Sequence, residues 1–295
     1  MRIDHRFRLR TPLSHIGEVI STVSSLVEEP VLQPDGSVEP VFSYGGNAWR
    51  GHLRDCGAAA LLDLLGSPRL SLESFQLLFS GGSLSRSANP DIGRLRRIRE
   101  LFPLLSLWGC GLGDTLMPGK LRVGNAYPVV AEAMPCLPDR LHNVAAGRSY
   151  RRLAFQKEMT RRDDGRDVSL HDRLDDGARS ALAADRADHE TATQMRFAVE
   201  MLAAGSELCS VVSMLDPTAL EIGAYVSAIE RWSRTPHIGG MAARGCGMVD
   251  LEAGDLLAVN DGAIDLGRDA RAALEHYREH VRAHRDECLE LLGVS

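Results

Sequence analysis

Lysine is almost missing from this 295-residue chain. Lys120 and Lys157 are the only two, and every other basic side chain is arginine. Aromatic residues are scarce, at 5%. The six cysteines fall into no CxxC spacing, which argues against a structural zinc site and for reduced thiols in a cytoplasmic protein. No apolar run nears the roughly 20 residues that cross a bilayer, and the chain opens on an alternating segment where a secretory leader would be apolar. A positive excess is absent too. Thirty-four Lys and Arg face 40 Asp and Glu, a net charge of −6, which is not the overall signature of a nucleic-acid binder. Phosphate affinity depends on local potential, however. The arginine bias suits bidentate phosphate contacts and base stacking, although a GC-rich genome produces the same bias. With 44% apolar residues, the composition is that of an ordinary globular protein, long enough for one large domain or two small ones.

The most distinctive stretch runs from Thr235 to Val249, with four glycines between Gly239 and Gly247. It follows a helix-patterned segment from about Pro217 to Trp232, capped by Asp216-Pro217, and leads into a strand-like Met248-Val249-Asp250-Leu251. Such a loop either offers backbone N–H groups to an anion or is a tight turn whose glycines make room for packing.

Residues 2–10 alternate Ile3, His5, Phe7 and Leu9 with charged residues, the pattern of a half-buried strand. The chain then reads as irregular through Ser37. Asn47 is the expected N-cap of a helix ending near Leu65, with Arg50 and Arg54 one turn apart. A helix is expected over Leu70–Phe79, followed by the glycine and hydroxyl loop Ser80–Ser87 and the basic cluster Arg94, Arg96, Arg97 and Arg99. Leu121–Val129 reads as a strand. Arg148–Arg162 interleaves arginines with Tyr150 and Phe155, which suits an RNA backbone and base stacking. Residues 163–190 are acidic and poor in core formers. Together, 141–192 reads as an insertion, first a basic arm and then a mobile acidic loop, within one domain spanning 1–295. Residues 194–202 and 207–214 pattern as a hairpin. A C-terminal amphipathic helix follows, with His276, His280 and His284 on a solvated face.

Without the insertions, the order is strand 2–10, helix 47–65, strands 194–202 and 207–214, helix 217–232 and strand 247–251. That is an α+β fold: a ferredoxin-like, RRM-like βαββαβ core with large finger- or thumb-like insertions and a C-terminal helix. Within that order, four blocks resemble the repeating backbone subunit of the RAMP superfamily of CRISPR proteins, most of all its type IV version. They are Thr11–Gly17, Gly45–Asp55, Phe79–Gly82 and Gly239–Gly247. The resemblance spans most of the chain except 141–192.

It implies a non-enzymatic subunit, without cofactor or metal, that polymerises as a helical homo-oligomer along a CRISPR guide RNA. Other effector subunits join it, and intervening bases stay free to pair with target nucleic acid. Carried over by position, Ser14, His15, Asn47, Trp49, Arg50, Arg54, Gly82, Ser83, Arg86, Gly239, Gly240, Met241 and Arg244 face the guide. Arg148, Arg151, Arg152, Lys157, Arg161 and Arg162 belong to a finger or thumb. Relatives of the same fold include endonucleases. His15 or His52 would be the acid or base in such an enzyme, and Asp35 stands weakly for the loop aspartate of target-cleaving subunits.

Overall fold

The computed structural model describes residues 1–82, 92–112, 115–161, 175–180 and 195–294. The expected acidic loop lies mostly outside these residues; a helical turn over 176–180 is its one described part. The alternating N-terminal segment forms β1 (Arg2–Leu9), burying Ile3, Phe7 and Leu9 together with His5. Four short strands follow where the sequence reads as irregular: β2 (Ile16–Ile20), β3 (Val23–Leu26), β4 (Glu28–Leu32) and β5 (Val38–Phe42). The β2–β3 turn holds Ser21 at φ 55, so neither glycine nor proline marks it in the sequence.

α1 (Gly46–Leu64) starts one residue before the expected cap. Its N-cap is Gly45, and the Gly46 N–H is satisfied at 2.8 Å by the Asn125 side-chain oxygen from a distant loop. Next come α2 (Leu72–Phe79), α3 (Ile92–Leu101), α4 (Pro103–Trp108), β6 (Cys110–Leu112), β7 (Thr115–Met117), β8 (Leu121–Val123), β9 (Tyr127–Pro128) and the short α5 (His142–Ala145). The chain continues through β10 (Ala154–Arg161), β11 (Met195–Leu202), β12 (Glu207–Met214), α6 (Ala219–Trp232), β13 (Val249–Ala253), β14 (Leu257–Asn260) and β15 (Ala263–Leu266). It ends in α7 (Arg268–Ala283) and α8 (Arg285–Leu291), which divide the expected C-terminal helix at His284. The cap of α6 is Thr218, not Asp216-Pro217. Thr218 and Glu221 exchange side-chain and backbone bonds in a capping box.

The main sheet is antiparallel, in the order β15-β14-β13-β1-β12-β8, with β9 also on β12. Its centre, β13-β1-β12-β8/β9, has the strand order of a ferredoxin-like core, with α1 and α6 packed on one face and α7 against α6. The second core strand is thus the broken β8/β9 and not residues 194–202. The expected 194–202/207–214 hairpin does not form. Gly205 N–H donates to Leu9 O and Leu9 N–H to Ser206 O, so the turn hands β12 to β1. β11 pairs instead with β10 and β3 in a second sheet of order β10-β11-β3-β2. Its alternating Val199 and Met201 are buried in a small cluster beside Cys246.

His5 lies at the centre of the core. Its Nδ1 accepts from Trp49 Nε1–H at 3.1 Å, and its Nε2 is bonded to the Tyr225 hydroxyl. Burial pulls its pKa from 6.5 to about 3. The unfolded chain therefore takes up a proton below pH 6.5 that the folded chain refuses until about pH 3. Stability is complete above that window and declines through it by up to about 1.4 kcal/mol per pH unit. Thermal unfolding from pH 7 to pH 4 should show a shallower acid decline for His5→Gln than for the wild-type chain; equal slopes would exclude His5 as the cause.

Candidate nucleic-acid interface

The glycine loop lies against the segment that leaves β1. Gly247 N–H donates to Pro12 O at 2.9 Å, Gly240 N–H to Ser14 O at 2.7 Å, and Ile238 N–H to Gly247 O at 2.9 Å. Two glycines are required by this packing. A Cβ on Gly239 would lie 2.5 Å from Leu13 Cδ1 and from Ser14 O, and one on Gly247 would lie 2.0 Å from Ile238 O; both also have positive φ. Gly240 and Gly245 are exposed, with no close neighbour in the direction of a side chain. The packing reading holds for Gly239 and Gly247; Gly240 and Gly245 leave backbone without side chains on the surface, which lets a ligand approach, but their N–H groups are already given to Ser14 O and Ala242 O.

Several elements meet at this loop. Tyr44 lies two residues beyond β5 with its hydroxyl near the Gly239 backbone, and burial pushes its pKa up to about 12. The His15 ring stands 5.0 Å from Tyr44, and its Nε2 lies 4.0 Å from where a Gly45 Cβ would be. Desolvation lowers the His15 pKa, which favours the neutral ring. Gly45 caps α1, whose first turn contains no acidic residue. Asn47 is exposed in that turn, and its N–H has no partner among the described residues. A 19-residue helix with no acid in its first turn thus starts beside an open glycine backbone, an arrangement that favours anions, although Glu29 stands one link away, bonded at 2.7 Å to the Asn125 side chain that caps Gly46.

The second sheet adds cations on the other side of the loop. Met241 and Cys246 pack against Val199, Met201, Met159 and Phe197. The Arg244 guanidinium sits 5.3 Å over the Phe197 ring, and its Nη1 donates to Met159 Sδ at 3.7 Å. Lys157 opposes Val199 and Phe155 opposes Met201, so both project from the face that carries Phe197 and Met159. Lys157 is exposed and Phe155 is 38% exposed.

Other expected residues are placed elsewhere. Ser14 is fully buried and meets the loop through its carbonyl. Trp49, 1% exposed, is a core side chain wedged among His5, Phe7 and Trp232. Arg54, 6% exposed, donates to the carbonyls of Leu78 at 2.9 Å, Leu77 at 3.3 Å and Gly109 at 2.8 Å. It neutralises the C-terminal end of α2 instead of facing outward, and burial lowers its pKa to about 10, so it stays charged. Arg50 is half-buried and bonded to Trp108 O. Gly82 packs on Gly111, whose carbonyl a Cβ would meet at 2.1 Å. Arg148 pairs with Glu207 at 2.9 Å, and Arg151 reaches Glu39 at 3.7 Å; Arg152 is exposed. Ser83, Arg86, Arg162 and the Arg161 side chain lie outside the described residues.

The open face of the main sheet is not a stacking platform. Arg6 pairs with Glu252 at 3.3 Å, Arg10 with Asp250 at 2.6 Å, and Arg140 with Asp4. The Tyr127 hydroxyl is bonded to Glu29. This charge-paired face lacks the paired aromatics with which RRM sheets stack bases.

Of the alternative catalytic residues, His52 stands 6.3 Å from the Trp49 ring. Its pKa is lowered chiefly by burial and further by His237, against the opposing charge of Asp55. Asp35 accepts from the Ser37 hydroxyl at 2.7 Å and the Ser37 N–H at 2.9 Å, as a turn residue does. Among the described residues, no three His, Cys, Asp or Glu side chains gather as metal ligands would, and no helix is long and apolar enough to cross a membrane.

Two contributors escaped the sequence reading. Tyr44 sits directly before Gly45-Gly46, buried between His15 and the Gly239 backbone, but nothing local marks its ring as part of the site. Phe197 becomes a platform for Arg244 only through the second sheet. Because Arg54 is structural, Arg54→Ala should destabilise the fold by about 2–4 kcal/mol through three orphaned carbonyls. Chemical denaturation measures this, and a change below about 0.5 kcal/mol would show the side chain to be dispensable.

No family profile matches the sequence, and no curated protein matches it. The fold, however, recurs among solved structures. A chain of a "Type IV-B CRISPR Complex" is 21% identical, with a TM-score of 0.61 over 86% of this chain and 90% of that one. The "Crystal structure of Thermofilum pendens Csc2" aligns at 13% identity over 100% of this chain and 77% of that chain, with a TM-score of 0.42, too low to carry weight. The chain therefore has an RRM-like α+β fold with insertions, the same fold as a chain of a Type IV-B CRISPR complex.

Proposed function

We propose that this chain is a RAMP-type backbone subunit of a type IV CRISPR effector, which binds guide RNA and assembles along it as a helical homo-oligomer with other effector subunits. The observation that carries the proposal is the convergence at one loop of bare Gly240 and Gly245 backbone, the acid-free start of α1, neutral His15, and Arg244 on Phe197. These groups are suited to phosphate, ribose and base faces and carry no reader for a particular base. Sequence selection then falls to base pairing between guide and target, as in other RNA-guided effectors. Lys157 and Arg244 supply local positive potential on an acidic chain. In this reading the subunit holds RNA without cleaving it and needs no cofactor.

The test separates binding from folding. Asn47→Glu places a carboxylate at the N-terminus of α1, where it stabilises a helix by about 0.3–1 kcal/mol but repels phosphate. The purified wild-type chain should carry RNA, seen as excess absorbance at 260 nm. Asn47→Glu should unfold no earlier than wild type and bind guide RNA on the order of tenfold more weakly. Undiminished RNA binding by this variant, or a nucleic-acid-free monomer that ignores added guide, would overturn the proposal. Cleavage of guide or target RNA, with or without magnesium, would overturn its non-catalytic part.

A further inference from the structure

The arginine cluster of α3 takes no part in the loop site. Four arginines, Arg94, Arg96, Arg97 and Arg99, share this ten-residue helix with one acid, Glu100. Leu95, Ile98 and Leu101 turn inward, with Ile98 and Leu101 fully buried. Arg97 is held by Glu100 at 3.4 Å and by Glu287 of α8. Arg96 and Arg99 project from the opposite side, both exposed, and neither has a carboxylate partner among the described residues. Arg99 makes one long bond, 3.5 Å, to Pro118 O. The two stand one helical turn apart, about 5–6 Å at Cβ.

This patch is not an extension of the glycine-loop groove. Among the described residues, the basic side chains of α1 are Arg50 and Arg54 besides His52, and both arginines spend their guanidinium groups on backbone carbonyls of residues 77, 78, 108 and 109. Among the described residues, a strand at the glycine loop would therefore find no free guanidinium on α1 to lead it toward α3. Two exposed arginines a turn apart, with Gly93 and Glu100 as exposed neighbours on the helix and no exposed apolar side chain among them, offer phosphate contacts without the apolar centre of a protein interface.

We infer that Arg96 and Arg99 form a second polyanion site, which holds the phosphodiester backbone of the target nucleic acid apart from the guide. The inference rests on the guide-binding reading for its choice of target over guide.

The experiment compares guide-loaded wild-type particles with Arg96→Ala/Arg99→Ala and Arg96→Lys/Arg99→Lys particles. Each is titrated with a labelled oligonucleotide complementary to the guide, at several salt concentrations. The alanine pair should keep its thermal stability and its guide content, and should bind the oligonucleotide about tenfold more weakly. Its plot of log affinity against log salt should be shallower by roughly 1.5, the loss of two phosphate contacts. The lysine pair should keep the wild-type slope. Unchanged target affinity and slope in the alanine pair would overturn the inference. Parallel loss of guide would also overturn it and assign α3 to the guide track. Loss of a protein subunit with intact target binding would overturn it in favour of an acidic protein partner. If the purified chain carries no guide, the guide-binding reading fails on its own; titrating the bare wild-type and alanine chains with the same oligonucleotide still decides whether α3 is a polyanion site.

Discussion

The candidate interface depends on how closely two backbones approach, residues 12–14 on one side and the glycine loop on the other. The contact is made by main-chain bonds from Gly240 to Ser14 and from Gly247 to Pro12. It exists because Gly239 and Gly247 have no side chain to hold the strands apart. Once that approach is made, the rest is placed with little freedom. His15 leaves the same segment toward Gly45, Tyr44 closes over Gly239, and Met241 and Cys246 anchor the second sheet. Main-chain hydrogen bonds are each worth only about 1 kcal/mol net. Sterics, more than bond strength, make this arrangement specific.

What the sequence made legible was local. The alternation of β1, the three- and four-residue spacing of α1 and α6, and the punctuation of the glycine loop all report on residues near in the chain, and they were read to within two residues or so. Pairing partners were less legible. Residues 195–202 carry a good strand pattern, but alternation says only that one face is buried and not against what. That face lies on a satellite cluster instead of the main core. Leu121–Val129 reads as a strand, and β8/β9 forms there with a break over 124–126, but nothing in the segment marks it as the second core strand that β12 pairs with on both sides of the break. The start of α1 was displaced for a related reason: its capping oxygen comes from Asn125, 79 residues away.

Arginine was the most misleading residue type. Its count suggested a broad phosphate-binding surface, whereas the structure divides the arginines by job. Arg54 closes the end of α2 from within, Arg50 holds Trp108, and Arg6, Arg10, Arg140 and Arg148 pair with carboxylates on the sheet face. Arg244 lies on an aromatic ring beside the loop. A guanidinium with five donors can satisfy a cluster of carbonyls that lysine could not span. The shortage of lysine is therefore as much an architectural fact as a functional one.

One of the links between the second sheet and the main one, from β11 to β12, is Ala203–Ser206, four residues pinned at both ends, by Leu13 with Leu202 and by Leu9 with Ser206. β10 and β11 stay paired for eight positions out to Arg161 and Met195, about 23 Å, and the pair is held along most of that length: β3 is bonded at Ala198 and Val199, and the glycine loop packs on Met159 and Phe197 through Met241 and Arg244. Any shift of the glycine loop is therefore passed straight to Met159 and Phe197, far along the arm from its link at Leu202: loop and arm move as one lever.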